Sequence, residues 1–250
     1  MGKCKRSAAR ALEWLVAEGV DVAAVVAAPP DRFTRTEQRL DLVAERHGLT
    51  LVDESDLYGV PPSDVDLVLS FLFWKRIRPP LIGLGRVGCL NFHPAPLPDL
   101  RGLGGYNVAI LEDRADWGVS CHFVDEGFDT GDLVEVERFP IDRQNETALS
   151  LDLKSQERLL DLFRRVLTRA LAGEPLPREP QGPGRYVDRA EFEALRAVRA
   201  GDDLERKLRA FWYPPYPGAV LETEAGPLTL VDERLLADVA EAYLAAGRVP

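Results

Sequence analysis

From Asp66 to Phe73 the chain reads DLVLSFLF, a continuous apolar run of strand length. A strand wetted on one side alternates apolar and polar residues. One that does not alternate is buried on both faces, as inside a parallel sheet with helices above and below. Helical and strand-like segments alternate around this run. Ala8, Leu12, Leu15 and Val16 have helical spacing, and Gly19 stops that helix. Val20 to Ala28 reads as a strand ended by Pro29-Pro30, residues 37 to 47 as a helix ending near Gly48, and Leu49 to Val52 as a short strand. Pro79 to Leu84 is a short helix or turn, and Val87 to Phe92 the next strand. The alternation predicts an α/β fold with a doubly wound sheet.

One piece is absent from the pattern. Such a domain ordinarily opens on a strand, and this chain opens on a helix preceded by Gly2-Lys3-Cys4-Lys5, which resembles the turn that follows a first strand. Either the sequence starts late or the sheet lacks a central strand. The first is favoured, because an empty central slot leaves neighbouring backbone groups unpaired.

Beyond the first half, Trp117 to Val124 and Leu133 to Phe139 read as strands, and residues 146 to 172 as a long amphipathic helix with a solvated charged face, stopped by Gly173. Residues 174 to 184 (EPLPREPQGPG) form a Pro/Gly linker, the clearest boundary in the chain. The expected organisation is a domain over 1–173, this linker, and a small α+β region over 185–250. That last region would hold a strand at Tyr186-Val187, a helix over 202–211, short strands at 219–222 and 228–231, and a helix over 234–246. The tail positions Leu235, Leu236, Val239 and Leu244 fit a homodimer interface as well as simple packing.

Composition excludes several classes. The three cysteines, Cys4, Cys89 and Cys121, are scattered and contain no CxxC pair, which argues against a disulfide framework or a zinc site and fits a reducing, cytoplasmic compartment. Cys89 and Cys121 lie in apolar strands and read as core residues. No apolar run reaches transmembrane length, and the N-terminus does not read as a signal peptide. A formal net charge of −10 weighs against a nucleic-acid partner, since such binding rests on neutralising phosphates. No GxGxxG follows a first strand and no P-loop Lys-Ser/Thr occurs, so a nicotinamide dehydrogenase is poorly supported.

The chemistry concentrates between Asn91 and Gly131. Asn91 and His93, two apart in an extended segment, project to one side where a strand gives way to a loop. The loop holds Pro94, Pro96 and Pro98 and closes with Arg101-Gly102. After a helix and a strand comes Asp125-Glu126-Gly127-Phe128-Asp129-Thr130-Gly131, so an Asn, a His and an Asp from two loops can converge at one sheet edge. Taken singly, each has an ordinary explanation: Asn and Asp beside glycines cap turns, and a His before Pro can sit on the surface. His122, inside a strand, reads as packed or edge-facing.

In combination, these residues resemble the folate-dependent formyltransferase superfamily. The shared pattern is Asn91-Phe92-His93-Pro94, then Leu97-Pro98-Asp99-Leu100-Arg101-Gly102, then Asp125-Glu126-Gly127-Phe128-Asp129-Thr130-Gly131. The resemblance implies a Rossmann-like formyltransferase domain and a 10-formyl-tetrahydrofolate donor, with no metal. It implies that Asn91 stabilises the developing oxyanion, that His93 is the general base or acid, and that Asp129 orients His93 or holds a water in a relay. Phe71, Leu72, Phe73, Trp74, Val124, Asp125, Gly127 and Phe128 would contribute to the pterin site. Lys75, Arg101 and Gly104 are candidate acceptor contacts. Arg101 is also readable as a brace for its loop, slightly the favoured role, and Lys75 as merely solvated. Tyr213 or Tyr216, in the run FWYPPYPGA, would stack on a base or sugar ring, or else stiffen a packed connection.

The leading expectation is formyl transfer to a small-molecule amine, most of all a nucleotide-linked amino sugar. The alternatives are glycinamide ribonucleotide, a hydroxylated ornithine or Met-tRNA as acceptor, water as acceptor in a formyl-folate hydrolase, or a non-catalytic folate- or nucleotide-binding protein.

Overall fold

The computed structural model describes residues 1–61 and 64–245. Those residues fall into two compact units interleaved along the chain. The first comprises Met1–Arg101, Gly118–Arg138 and Lys154–Arg185; the second comprises Gly102–Trp117, Phe139–Leu153 and the chain from Tyr186 on. No helix among the described residues is long and apolar enough to cross a membrane.

The first unit is built on a four-stranded sheet in the order β1-β2-β4-β5. Strand β1 (Leu67–Phe71) is the apolar run predicted to lie inside a parallel sheet. It pairs in parallel with β2 (Gly88–His93), with Ser70 beside Asn91 and Phe71 beside Phe92. Strand β4 (Asp116–Phe123) is antiparallel to β2, with Asn91 opposite His122 and His93 opposite Ser120. Strand β5 (Leu133–Pro140) completes the sheet. Helix α1 (Arg6–Ala17) buries Leu12 and Leu15, and Trp14 meets Phe163 of the long helix α4 (Ala148–Leu171) edge-on. Phe71 stacks on Phe92, and Phe163 meets Phe71 edge-on and Phe92 at a tilt, in one aromatic core. The charges of α4, read as a solvated face, include Arg158, Arg165 and Arg169, which pair with Glu135 and Glu137 of β5.

The slot of the absent first strand is filled by Met1–Lys3. Gly2 bridges in parallel to Ala27 on one side and to Phe71 on the other. The Gly2 N–H donates to Val26 O at 3.0 Å, the Ala28 N–H to Gly2 O at 2.9 Å, and the Phe71 N–H to Met1 O at 2.9 Å. The backbone groups that an empty slot would orphan are therefore paired. Burial lowers the Met1 amine to about 6, and it donates to Leu69 O at 2.7 Å. The short filling has a cost in regularity. The segments expected as strands over 20–28 and 49–52 appear as isolated bridges, Ala27 to Gly2 and Val25 to Leu51, because each offers a single residue pair where a ladder needs consecutive ones.

Other elements differ from expectation at their ends. The helix expected over 37–47 is a 3-10 turn (Thr36–Gln38) followed by α2 (Leu40–Arg46). Residues 79–84 supply only a 3-10 turn at Leu81–Gly83. A short strand β3 (Leu100–Gly102) forms in the Arg-Gly loop and pairs with β6 (Arg185–Val187). Cys89 and Cys121 are core residues, and burial pushes the Cys89 thiol up to about 12.

In the second unit, α3 (Gly105–Leu111) packs on α6 (Leu204–Phe211), and the Asn107 amide donates to Ala210 O at 2.6 Å. Helix α5 (Arg189–Arg196), not foreseen, is capped by Asp188. Strands β7 (Val220–Thr223) and β8 (Gly226–Thr229) form a hairpin, followed by α7 (Glu233–Ala245). Of the tail positions, Leu235 is buried while Leu236 and Val239 are exposed. The Leu244 side chain lies outside the described residues, as does Ala246.

Candidate active site

Asn91 and His93 project from one face of β2, and β4 brings His122 directly opposite Asn91 on the same face. The cluster therefore lies on the sheet face, near the carboxyl end of β2, rather than at an edge. Parallel strands in open α/β sheets place ligands at that end. Asp129 reaches the cluster because the segment after β4 folds back over the sheet.

The Asn91 amide is held at both ends. Its Oδ1 accepts from the Ser70 hydroxyl at 2.7 Å. Its Nδ2 lies 3.1 Å from His122 Nε2. The roles at His122 follow from its other nitrogen. Nδ1 is 2.7 Å from the carbonyl oxygen of Phe123, which can only accept, so Nδ1 carries the proton and Nε2 the lone pair. Asn91 Nδ2 therefore donates to His122, and its second N–H remains for a further acceptor. Burial lowers His122 to about 4, against the pull of Asp129, so the ring is neutral at pH 7.

His93 Nδ1 lies 3.6 Å from Asp129 Oδ1, and His122 Nε2 lies 3.7 Å from the same oxygen. All three side chains are at least largely buried, at 12%, 3% and 15% exposure for His93, His122 and Asp129. A carboxylate facing Nδ1 favours the tautomer with its proton there, which leaves the Nε2 lone pair of His93 for proton transfer. Asp129 has a φ of +54°, a left-handed conformation uncommon for a residue with a Cβ.

The loops around these residues are pinned. Ser120 donates its hydroxyl to Ala95 O at 2.7 Å and accepts from the Leu97 N–H at 2.9 Å, which fixes the turn after His93. The Asp125 carboxylate accepts from Gly127 N at 3.0 Å and the Thr130 hydroxyl at 2.7 Å, closing its own loop. Gly131 is obligatory, since a Cβ there would stand 2.0 Å from the Phe123 carbonyl oxygen. Arg101 Nη2 donates to Gln181 Oε1 at 2.9 Å and to Gly182 O at 3.0 Å.

The remaining candidates separate into groups. Phe71 is a core residue, and Phe73 and Val124 pack on the cluster of Val68, Ile77 and Leu81. Leu72 sits at φ +55° with its N–H bonded to Phe92 O. Trp74 and Phe128 present exposed rings, at 39% and 47%, and Arg76 lies over Phe128. Lys75 pairs with Glu54 at 3.2 Å. In the second unit, Gly104 starts α3 at φ +66°, where the Phe192 ring occupies the place of a Cβ. Tyr213 gives its hydroxyl to Asp152, and burial, helped by that carboxylate, drives the phenol far above its ordinary value. Tyr216 is half exposed and tilted against Tyr213. Ser70 and Gln181 are not singled out by the sequence, which reads His122 only as packed or edge-facing. His122 carried a usable signal, as one of only three histidines, in the strand just before the Asp125 loop. Gln181 carried none.

A recess of about 910 Å³ lies entirely in the second unit, among Asp113, Asp142, Arg143, Asp203, Arg206 and Arg209. Its lining holds no histidine; Arg143, Arg206 and Arg209 sit against carboxylates, and Arg234 donates to Asn145.

A family model described as formyl transferase matches residues 16–167. A methionyl-tRNA formyltransferase of Sphingopyxis alaskensis is 30% identical over 218 residues, covering 82% of this chain and 70% of that protein. A GDP-perosamine N-formyltransferase of Brucella melitensis is 28% identical over 162 residues, covering 64% and 62%. Among solved structures, an N-formyltransferase from Helicobacter canadensis in complex with folinic acid and dTDP-3-aminofucose superposes with a TM-score of 0.73 at 18% identity, covering 89% of this chain and 82% of that one. The last likeness is one of fold.

Proposed function

The chain belongs to the formyl transferase family, and on that premise we propose that it formylates the amino group of a nucleotide-linked amino sugar. The coarser activity comes with the family: the protein is a folate-dependent formyltransferase, and 10-formyl-tetrahydrofolate supplies an electrophilic formyl carbon. The residues present fit a pterin-bearing donor. The exposed rings of Trp74 and Phe128 offer stacking faces.

The observation that carries the catalytic assignment is the geometry of Asn91. Its amide cannot rotate without breaking the bonds to Ser70 and His122, so its second N–H is aimed before substrate arrives. A donor fixed in advance toward a developing oxyanion lowers a barrier by roughly 3–4 kcal/mol. His93 Nε2 takes the proton of the attacking amine and returns it to the departing nitrogen. Asp129 holds the His93 tautomer through Nδ1 and stabilises the ring while it is cationic.

Three observations support a nucleotide sugar as acceptor. The net charge of −10 disfavours a polyanion. The Brucella melitensis relative and the Helicobacter canadensis structure are named for sugar-linked amines. Tyr216, rather than Tyr213, has an exposed ring with which to stack. A second reading, Met-tRNA as acceptor, is favoured by the longer match to the Sphingopyxis alaskensis enzyme. The test is tetrahydrofolate release from 10-formyl-tetrahydrofolate with a panel of nucleotide-linked amino sugars, with Met-tRNA and with water, for wild type and His93→Ala. Turnover on one amino sugar that is lost in the variant supports the proposal. Turnover on Met-tRNA alone overturns the acceptor, and release without any amine replaces the transferase with a hydrolase.

A further inference from the structure

We infer that Gln181 is a positioning residue for the reaction, a clamp that sets where the Asp129 carboxylate stands. The inference rests on the catalytic assignment above and goes beyond it, because nothing in the Pro/Gly stretch 174–184 suggests chemistry.

The Gln181 amide is fully committed. Its Nε2 donates to the backbone oxygen of Asp129 at 3.1 Å and to that of Gly131 at 2.7 Å. Its Oε1 accepts from Arg101 Nη2 at 2.9 Å and from Arg101 Nε at 3.3 Å. An amide nitrogen has two hydrogens and an amide oxygen two lone pairs, so both ends are saturated. The orientation is also unique. Flipping the amide would turn its NH2 toward the guanidinium and its oxygen toward two carbonyls.

The loop needs such a clamp. Asp129 holds a left-handed φ of +54°, and a residue with a Cβ persists there only when its surroundings over-determine it. Gly131 has no room for a side chain, and the Phe123 N–H is bonded to Asp132 O at 2.8 Å. The two carbonyls that Gln181 grips thus bracket the turn that carries Asp129 over the sheet. The segment itself is anchored, since Glu179 and Leu133 exchange backbone hydrogen bonds at 2.8 and 3.0 Å. Arg101 completes the device by fixing the Gln181 oxygen and the Gly182 carbonyl. Arg101, an acceptor candidate from sequence, therefore acts at one remove, through Gln181 on Asp129.

The experiment compares wild type with Gln181→Leu and Gln181→Glu, each alone and combined with Asp129→Ala. Turnover is read with 10-formyl-tetrahydrofolate and dTDP-3-aminofucose, and amide hydrogen exchange is read over residues 123–133. Gln181→Glu keeps an acceptor for Arg101 but turns an oxygen toward the two carbonyls, so both variants lose the clamp. The expected result is a fall in kcat of about 10- to 100-fold with the acceptor KM within about twofold, since a small misplacement of a catalytic group costs this much. Exchange should rise in the 123–133 segment and not in β1 or β2. In the Asp129→Ala background neither substitution should lower kcat further. Unchanged exchange, an unchanged kcat, or an additional loss in that background overturns the inference. If wild type does not use dTDP-3-aminofucose, that acceptor is excluded, and the hydrogen exchange alone decides the role of Gln181.

Discussion

The face of β2 and β4 in the first unit and the recess in the second unit are both rich in polar side chains, yet they are built on opposite principles. In the recess, three of the lining arginines are set against carboxylates. Arg143 bonds Asp113 through Nε at 3.0 Å, Arg206 lies near Asp113 and Asp203, and Arg209 lies near Glu205. On the β2–β4 face, side chains are held from behind and keep one group unspent. Asn91 retains an N–H and His93 retains Nε2, while Ser70, His122 and Asp129 hold them in place. A cavity is not by itself a site. Oriented groups with remaining capacity make one, because catalysis needs dipoles fixed in advance rather than charges already neutralised.

This contrast can be broken most decisively at Asn91. Asn91→Ala removes the aimed donor, and kcat for formyl transfer should fall by about 10²- to 10³-fold with little change in folate affinity. A loss below about tenfold would show that the fixed amide is not used.

A second, smaller effect concerns pH. His122 has a folded value of about 4 against an ordinary value of 6.5. Below pH 6.5 the unfolded chain takes up a proton that the native protein refuses until about pH 4. The unfolded state then binds more protons, so stability falls as pH drops through that window and the contribution is constant above it. At about 1.4 kcal/mol per pH unit the loss is on the order of 3 kcal/mol. Denaturant melts of wild type and His122→Asn between pH 7 and pH 4 should converge by roughly that amount. Parallel curves would mean that His122 is not held neutral in the native state.

The smallest effect belongs to the recess. Arg143→Gln breaks an exposed ion pair with Asp113, and exposed pairs contribute little. Turnover should stay within about twofold of wild type. A large fall in kcat would abolish the contrast and make the recess part of the functional machinery.

Much of the candidate face is legible in the chain. The period of two in an extended segment places Asn91 and His93 on one side, and the apolar run 66–73 announces the parallel neighbour that brings Ser70 beside Asn91. The bridging of Met1–Lys3 between Ala27 and Phe71 was not legible, because three residues carry no periodicity. Nor was the fold-back of Asp129. The acidic, glycine-bearing run reads as a turn, but a turn's direction is set by what it is bonded to.

Sequence by itself determined the elements whose signals are local: β1 and β2 from their apolar runs, α1 and α4 from helical spacing, and the motif residues from their fixed offsets. Only the tertiary structure decided how the site is closed. Asn91 meets His122 across 31 residues, Asp129 meets Gln181 across 52, and Arg101 meets Gln181 across 80. Local periodicity is imposed by neighbouring residues and survives in any window of the chain. A hydrogen bond between distant segments depends on the packing of everything between them, so its two ends leave no mark on each other in the sequence.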